Sequence, residues 1–186
     1  MKRSILFKAG LIASVCFMAV NASAAGTSGG TITFNGKITS STCDSALEGS
    51  AANEVTMPDV ATNAFTGDTA GRTSFNILLT SCVLDKDTGV AAYFEPDANW
   101  VDMDTGHLNN IAVAGAEGVS LQLLNGDDDT AINVGDAAQE TLAHTVVPDA
   151  QGNGTLPYFV EYFKVAGGTL KAGAVQGKVT YSLIYR

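Results

Sequence analysis

The stretch Gly173-Ala-Val-Gln-Gly-Lys-Val-Thr-Tyr-Ser-Leu-Ile-Tyr-Arg186 decides how the rest of this chain is read. From Val175 its odd positions are Val175, Gly177, Val179, Tyr181, Leu183 and Tyr185, with Gln176, Lys178, Thr180 and Ser182 between them. Successive side chains of a strand point to opposite faces, so this two-residue period is that of a half-buried β-strand, broken only at Ile184. The strand is expected to run to Arg186, where no later segment covers it. An exposed apolar edge of that length is one that stable monomers avoid. The pattern alone fits equally well a core strand that finishes a self-contained sandwich.

At the opposite end, Lys2, Arg3 and Lys8 precede an uncharged apolar run from Ala9 to Val20, followed by Ala22-Ser-Ala24. Basic, then apolar, then small residues make a secretory signal peptide over residues 1–24, with cleavage expected after Ala24. A membrane anchor fails on length, because the run has twelve residues and a spanning helix needs about 20. Cleavage leaves 162 residues with seven basic and 19 acidic groups, a formal charge of −12. Such a surface repels nucleic acid, whose binding depends on Lys and Arg neutralising phosphates. Cys16 departs with the signal, so Cys43 and Cys82 remain, and an even pair in an exported protein reads as a disulfide. It would span 39 positions, for which the chain-entropy model gives roughly 4 kcal/mol.

After a Gly- and Ser-rich opening, Thr31-Ile-Thr-Phe-Asn-Gly-Lys-Ile38 alternates again, with Ile32, Phe34, Gly36 and Ile38 on one side. The parity passes through Asn35-Gly36, which favours one strand carrying a glycine over a two-residue hairpin. Arg72 to Cys82 alternates through Phe75, Ile77 and Leu79, then slips before the cysteine, which predicts a bulge there. Val90–Phe94 reads as a short strand, Leu108 to Asn110 as a loop, and Val119, Leu121 and Leu123 as one face of a strand ending at the hairpin signal Asn125-Gly126. Residues 127–139 are acidic and turn-rich, with a short strand at Ala131–Val134 at most. Thr141 to Val147 is a weak strand, and Leu156 to Val165 an aromatic, β-prone one. Short strands between Gly, Asn and Asp turns, without a helical period of any length, indicate an all-β sandwich.

A glycine fourteenth from the last residue (Gly173), a penultimate tyrosine (Tyr185) and alternating hydrophobics between them resemble the C-terminal motif of chaperone–usher fimbrial subunits, the pilins. Phe75-x-Ile-x-Leu-x-x-Cys82 is similar to the pilin strand carrying the second half of the family disulfide, and Gly118-Val-x-Leu-Gln-Leu123 also resembles the family. The alternating arm with a glycine on its apolar face, followed by Cys43, is similar to a pilin donor strand. The resemblance implies an incomplete immunoglobulin-like β-sandwich completed in trans by a donor strand: residues 25–41 as the donor extension and 42–186 as the pilin domain. It implies donor residues Ile32, Phe34, Gly36 and Ile38. It implies an acceptor groove and chaperone-binding edge at Gly173, Val175, Val179, Tyr181, Leu183, Tyr185 and Arg186. The partners implied are like subunits, a periplasmic chaperone and an outer-membrane usher, with export through the periplasm to a surface fimbria of Gram-negative type. Any host receptor would be met through the assembled fimbria. A major shaft subunit is the favoured role; a minor adaptor has the same parts, and a tip adhesin would need a lectin domain for which 162 residues leave no room. A self-contained exported β-domain would need a convergent polar site.

No such site is visible. His107 and His144 are the sole imidazoles, and no nucleophile elbow accompanies them, so no enzyme and no cofactor is expected. Asp85-Lys-Asp-Thr-Gly89 begins like a calcium loop, but its fifth position is Gly89 and its twelfth Pro96, which cannot ligate through side chains. Asp127-Asp-Asp129 reads as a solvated turn. Tyr158, Phe159, Tyr162 and Phe163 read as core and interface packing in preference to a sugar site, and Asn153-Gly-Thr155 as an ordinary turn.

Overall fold

Cys43 and Cys82 are bonded to each other, and they sit at the shared end of two antiparallel strands, β1 (Thr42–Leu47) and β2 (Thr69–Val83). The computed structural model describes residue 33, residues 41–49 and residues 53–186. The signal peptide and the arm residues Ile32, Phe34, Gly36 and Ile38 lie outside the described residues. Further along run β3 (Val90–Phe94), β4 (Val101–Asp102), β5 (His107–Asn109), β6 (Val119–Asn125), β7 (Ala131–Ile132), a single helical turn α1 (Gln139–Leu142), β8 (Gly154–Lys164) and β9 (Tyr181–Tyr185).

One sheet has the order β1-β2-β8-β6-β5-β4, with β7 also on β6; the second layer is the β3–β9 pair. Alternation decides what lies between them. In β2 the residues Phe75, Ile77 and Leu79 stand opposite Tyr158, Leu156 and Gly154 of β8. In β6, Leu121 and Leu123 stand opposite Tyr162 and Val160. These inward residues meet Val90, Ala92 and Phe94 of β3 in one apolar core, and the ring of Phe94 meets Tyr158 edge-on at 5.1 Å. Burial pushes the Tyr158 phenol up to about 12.

The expected bulge is present: between Thr42↔Val83 and Asp44↔Thr80 the register shifts, and Ser81 has φ 53°. Asn125-Gly126 does open a hairpin, β6–β7, but through a wider turn in which Asn125 N–H donates to Thr130 O. Three expectations are corrected. Thr141 to Val147 is not a strand: its start belongs to α1, and only Val146 bridges Val90. Gln139 explains why, since its side chain both accepts from Phe94 N–H and donates to Phe94 O, which ties the turn to the end of β3. Leu108 to Asn110 is not a loop, because His107–Asn109 pairs with β4 and β6. The last strand has ladder pairing over Tyr181–Tyr185 alone, and residues 172–180 run on without it.

The outward face of the large sheet carries buried polar groups, among them Glu161, His107 and Ser120. Glu161 accepts from Arg72 at 3.0 Å, and Arg72 also reaches Asp129 at 3.0 Å. His107 packs at 4.4 Å on Phe163, with Ser120 Oγ 3.3 Å from Nδ1 and Gln122 Nε2 3.1 Å from Nε2. An amide N–H donating to Nε2 suits the neutral ring, and burial holds the His107 pKa below its ordinary value, against a smaller upward pull from Asp102.

Two outcomes follow from this layer. An unfolded His107 takes up its proton near pH 6.5 and the folded ring only at lower pH, so the unfolded chain binds more protons between these points and stability falls as pH drops below about 6.5. Urea midpoints measured from about pH 7.5 to pH 5 should fall less steeply in His107→Asn than in the native chain. Replacing Cys43 and Cys82 together by Ser should lower unfolding free energy by roughly 4 kcal/mol, read from the same urea curves.

Candidate functional site: an apolar groove with an open edge

From Val175 to Leu183 burial alternates residue by residue, odd positions half-buried and even positions exposed. Val175, Val179, Tyr181, Leu183 and Tyr185 all pack on the core without being enclosed by it. Backbone bonding alternates as well. Gly89 and Arg186 exchange both backbone bonds, Glu95 N–H donates to Thr180 O, Ile111 N–H to Gln176 O and Ala116 N–H to Ala174 O. Even-numbered residues thus bond toward β3 and the 110–117 loop. Neighbouring residues of an extended chain turn their N–H and C=O to opposite sides, so those of 175, 177, 179, 181, 183 and 185 face the other way. Among the described residues, no backbone group pairs with them on that side.

Beside this edge opens a groove of about 1050 Å³. Phe75, Ile77, Leu108, Leu121, Leu123 and Val160 form its floor, residues 170–181 one rim and parts of 53–65 the other. The floor is made of core side chains.

Side chains place the edge where ladder pairing does not. Asn110 donates through Nδ2 to Ala116 O and Ala174 O, and accepts through Oδ1 from Ala112 N–H and Gln176 N–H. Every hydrogen-bonding site of that amide group is thereby used to hold residues 174–176 against the 110–117 loop. Lys171 meets Glu117 at 2.6 Å, and the Lys178 ammonium lies 4.1 Å from the centre of the Trp100 ring. At the far end, Cys43 N–H donates to the Tyr185 hydroxyl at 2.9 Å, and the Tyr181 hydroxyl lies 3.0 Å from Ser45 Oγ, so β9 is tied across to β1. The Arg186 guanidinium donates to the carbonyls of Glu140 and Ala143 at the end of α1.

Gly173 and Gly177 serve close approach. A Cβ on Gly173 would lie 2.5 Å from Ala116 N and 2.6 Å from Gly115 C, both backbone; one on Gly177 would lie 2.5 Å from a Leu121 methyl. Gly173, Val175, Val179, Tyr181, Leu183, Tyr185 and Arg186 are therefore brought together along one edge. The roles of Asn110 and of the tyrosine hydroxyls had no signal in the sequence, since an Asn-Asn pair before an apolar loop reads as a plain turn.

The remaining candidates are dispersed. His144 pairs with Asp127 at 3.1 Å, far in role from buried His107. Tyr158 is core, and Phe159 lies under Arg72 at 5.5 Å. Among the described residues no three His, Cys, Asp or Glu gather as metal ligands.

Comparison with known proteins bears on this architecture. Residues 57–186 match the family model described as type-1 fimbrial protein, A. The chain is 43% identical over 163 residues to the F17 fimbrial protein of Escherichia coli, covering 84% of this chain and 87% of that protein. It is 39% identical over 168 residues to the major fimbrial subunit SMF-1 of Stenotrophomonas maltophilia, covering 87% and 95%. A solved chaperone–usher pilus structure shares the fold, at 17% identity with a TM-score of 0.56, covering 86% of this chain and 97% of that one. The chain belongs to the type-1 fimbrial protein family. It is a fimbrial subunit with the incomplete immunoglobulin-like fold of pilins, and its place is a cell-surface fimbria.

The two glycines can be told apart by substitution. Gly173→Ala drives a methyl into backbone that cannot swing aside and should cost about 2–3 kcal/mol. Gly177→Ala meets a movable leucine methyl and should cost about 1 kcal/mol. Thermal unfolding of the purified subunits checks the order.

Proposed function

We propose that this subunit polymerises by donating and accepting a strand. Residues 25–41 of one copy, with Ile32, Phe34, Gly36 and Ile38 facing inward, lie in the groove of the next copy along Gly173, Val175, Val179, Tyr181, Leu183, Tyr185 and Arg186. The observation that carries the reading is the conjunction of an open backbone edge with an apolar groove of about 1050 Å³ lined by core side chains. Strand addition at a sheet edge matches this chemistry, backbone bonds giving affinity and alternate pockets giving specificity; chaperone–pilin complementation is a recognised case of it. Each of Ile32, Phe34 and Ile38 contributes about 1.5–3 kcal/mol if fully buried. The backbone of Gly36 can come close where a side chain could not.

On this reading residues 1–24 direct export and are removed, and a periplasmic chaperone strand occupies the groove of the 42–186 domain first. At an outer-membrane usher the arm of the next subunit replaces it. The protein acts as a shaft subunit and performs no catalysis; any receptor is met through the assembled fimbria. Its resemblance over most of its length to a major fimbrial subunit supports the shaft role. An adaptor role would require a groove or arm that admits only one kind of neighbour.

A chain lacking residues 25–40 should accept a strand and be unable to give one. Mixed with intact subunits it should end filaments, shortening them in proportion to its share, as seen by electron microscopy. Filaments of normal length made from the truncated chain alone would refute strand donation.

A further inference from the structure

The two ends of the groove lie on opposite ends of the domain and present different surfaces. At the Tyr185 end are Thr42 opposite Val83, Cys43 bonded to the Tyr185 hydroxyl, and Val147 next to the Val90–Val146 bridge. Val83 and Val147 are 66% and 65% exposed there. A cavity of about 230 Å³ beside them is lined by Leu84, Val147 and Pro148 and bordered by Asp85, Asp87 and Asp149. At the Gly173 end projects the loop Ile111-Ala-Val-Ala-Gly-Ala116, held by Asn110 and the Ala116–Ala174 bond. Its tip, Val113, is 98% exposed, and the next residue, Ala114, has φ 51°. The extended segment Val175 to Tyr185, eleven residues and ten steps, separates these ends by about 33 Å.

Chain length couples the two ends across copies. From Ile38, the last inward residue of the arm, to Thr42, the first residue of β1, there are four positions, which reach at most about 14 Å. The Val83–Val147 end of a donating copy must therefore sit beside whichever groove end its Ile38 reaches. A donor parallel to β9 would bring Ile38 to the Tyr185 end, the same end from which the accepting copy sends out its own arm. Two bodies would then compete for one surface. A donor antiparallel to β9 brings Ile38 to the Gly173 end and leaves the Tyr185 end free, so the contact repeats head to tail.

We infer that, given strand donation, consecutive copies also touch outside the groove: Val113 of the accepting copy packs on the Val83–Val147 surface and its adjoining cavity on the donating copy. The occupant of each surface is a second copy of this chain. The apolar tip meets the exposed Val83 and Val147 side chains. Asp85, Asp87 and Asp149 make the receiving end acidic, whereas Glu117 at the Val113 end is paired with Lys171. On a mature chain of formal charge −12, an end whose acidic side chain is paired meets less repulsion from an acidic surface than an unpaired one would.

The test uses the full mature chain exported with its own assembly partners. Val113→Cys combined with Val147→Cys should give filaments that run as a ladder of covalent oligomers on a non-reducing gel, whereas neither single variant should ladder. Intact filaments from the double variant without a ladder would overturn the contact while leaving strand donation standing. Val113→Asp should bind a synthetic peptide of residues 25–40 as tightly as the native subunit, yet yield filaments that dissociate about tenfold more readily in denaturant, or none at all. Native filament stability in Val113→Asp, or weakened peptide binding, counts against the inference. Absence of peptide binding to the native subunit would instead remove strand donation, and the contact with it.

Discussion

A backbone edge lying open beside an apolar groove lined by core side chains is the constraint on which the rest of this molecule depends. Either half alone would be tolerable: water can satisfy an exposed edge, and a shallow apolar patch is common on protein surfaces. Together they match only another strand, because only a strand supplies backbone partners every second residue and side chains at the same spacing. The domain keeps that edge straight although ladder pairing supports just Tyr181–Tyr185. The Tyr185 and Tyr181 hydroxyls tie one end to β1, and Asn110 with the Gly173 close approach ties the other to the 110–117 loop. The Cys43–Cys82 bond fixes β1 to β2 where the tyrosines land, so the far anchor cannot drift.

What the amino-acid order discloses and what it conceals divide along physical lines. The alternation from Val175 to Tyr185 was legible because half-burial imposes a period of two, and the same burial alternation appears in space. The bulge before Cys82 was legible because parity cannot slip without an extra residue, and Ser81 takes that strain. Helix α1 was not, since one turn has no period to detect and is held by long-range contacts, Gln139 to Phe94 and Arg186 to the Glu140 and Ala143 carbonyls. Nor was β5: three residues that owe their strand state to neighbours on both sides show no pattern of their own. The groove floor combines Phe75, Leu108, Leu121 and Val160 from four different strands, a juxtaposition that only topology creates. The tie of buried His107 to Ser120 and Gln122 was hidden too, because it depends on the β5–β6 register.

On the strand-donation reading, assembly of such a subunit extends without closing. The groove and the arm that would fill it are different surfaces of one chain, so each contact is heterologous and leaves a free arm at one end and a free groove at the other. The acidic surface limits lateral sticking.

Magnitudes show why the edge matters as much as the groove. On the strand-donation reading, burying Ile32, Phe34 and Ile38 contributes about 5–9 kcal/mol, while immobilising one body on another costs about 4–15 kcal/mol. Side chains alone therefore bring association roughly to balance. The surplus that makes a durable filament must come from the backbone groups of residues 175 to 185, each hydrogen bond adding about 0.5–1.5 kcal/mol net. Those bonds form only if the donor backbone seats within bonding distance along its whole length. A glycine in the donor and half-buried side chains in the acceptor are therefore the expected composition: anything bulkier at Gly36, or taller at Val175 and Val179, would lift the two backbones apart and lose several bonds at once. The arrangement is specific because its energy is distributed over a ladder that is made whole or hardly at all.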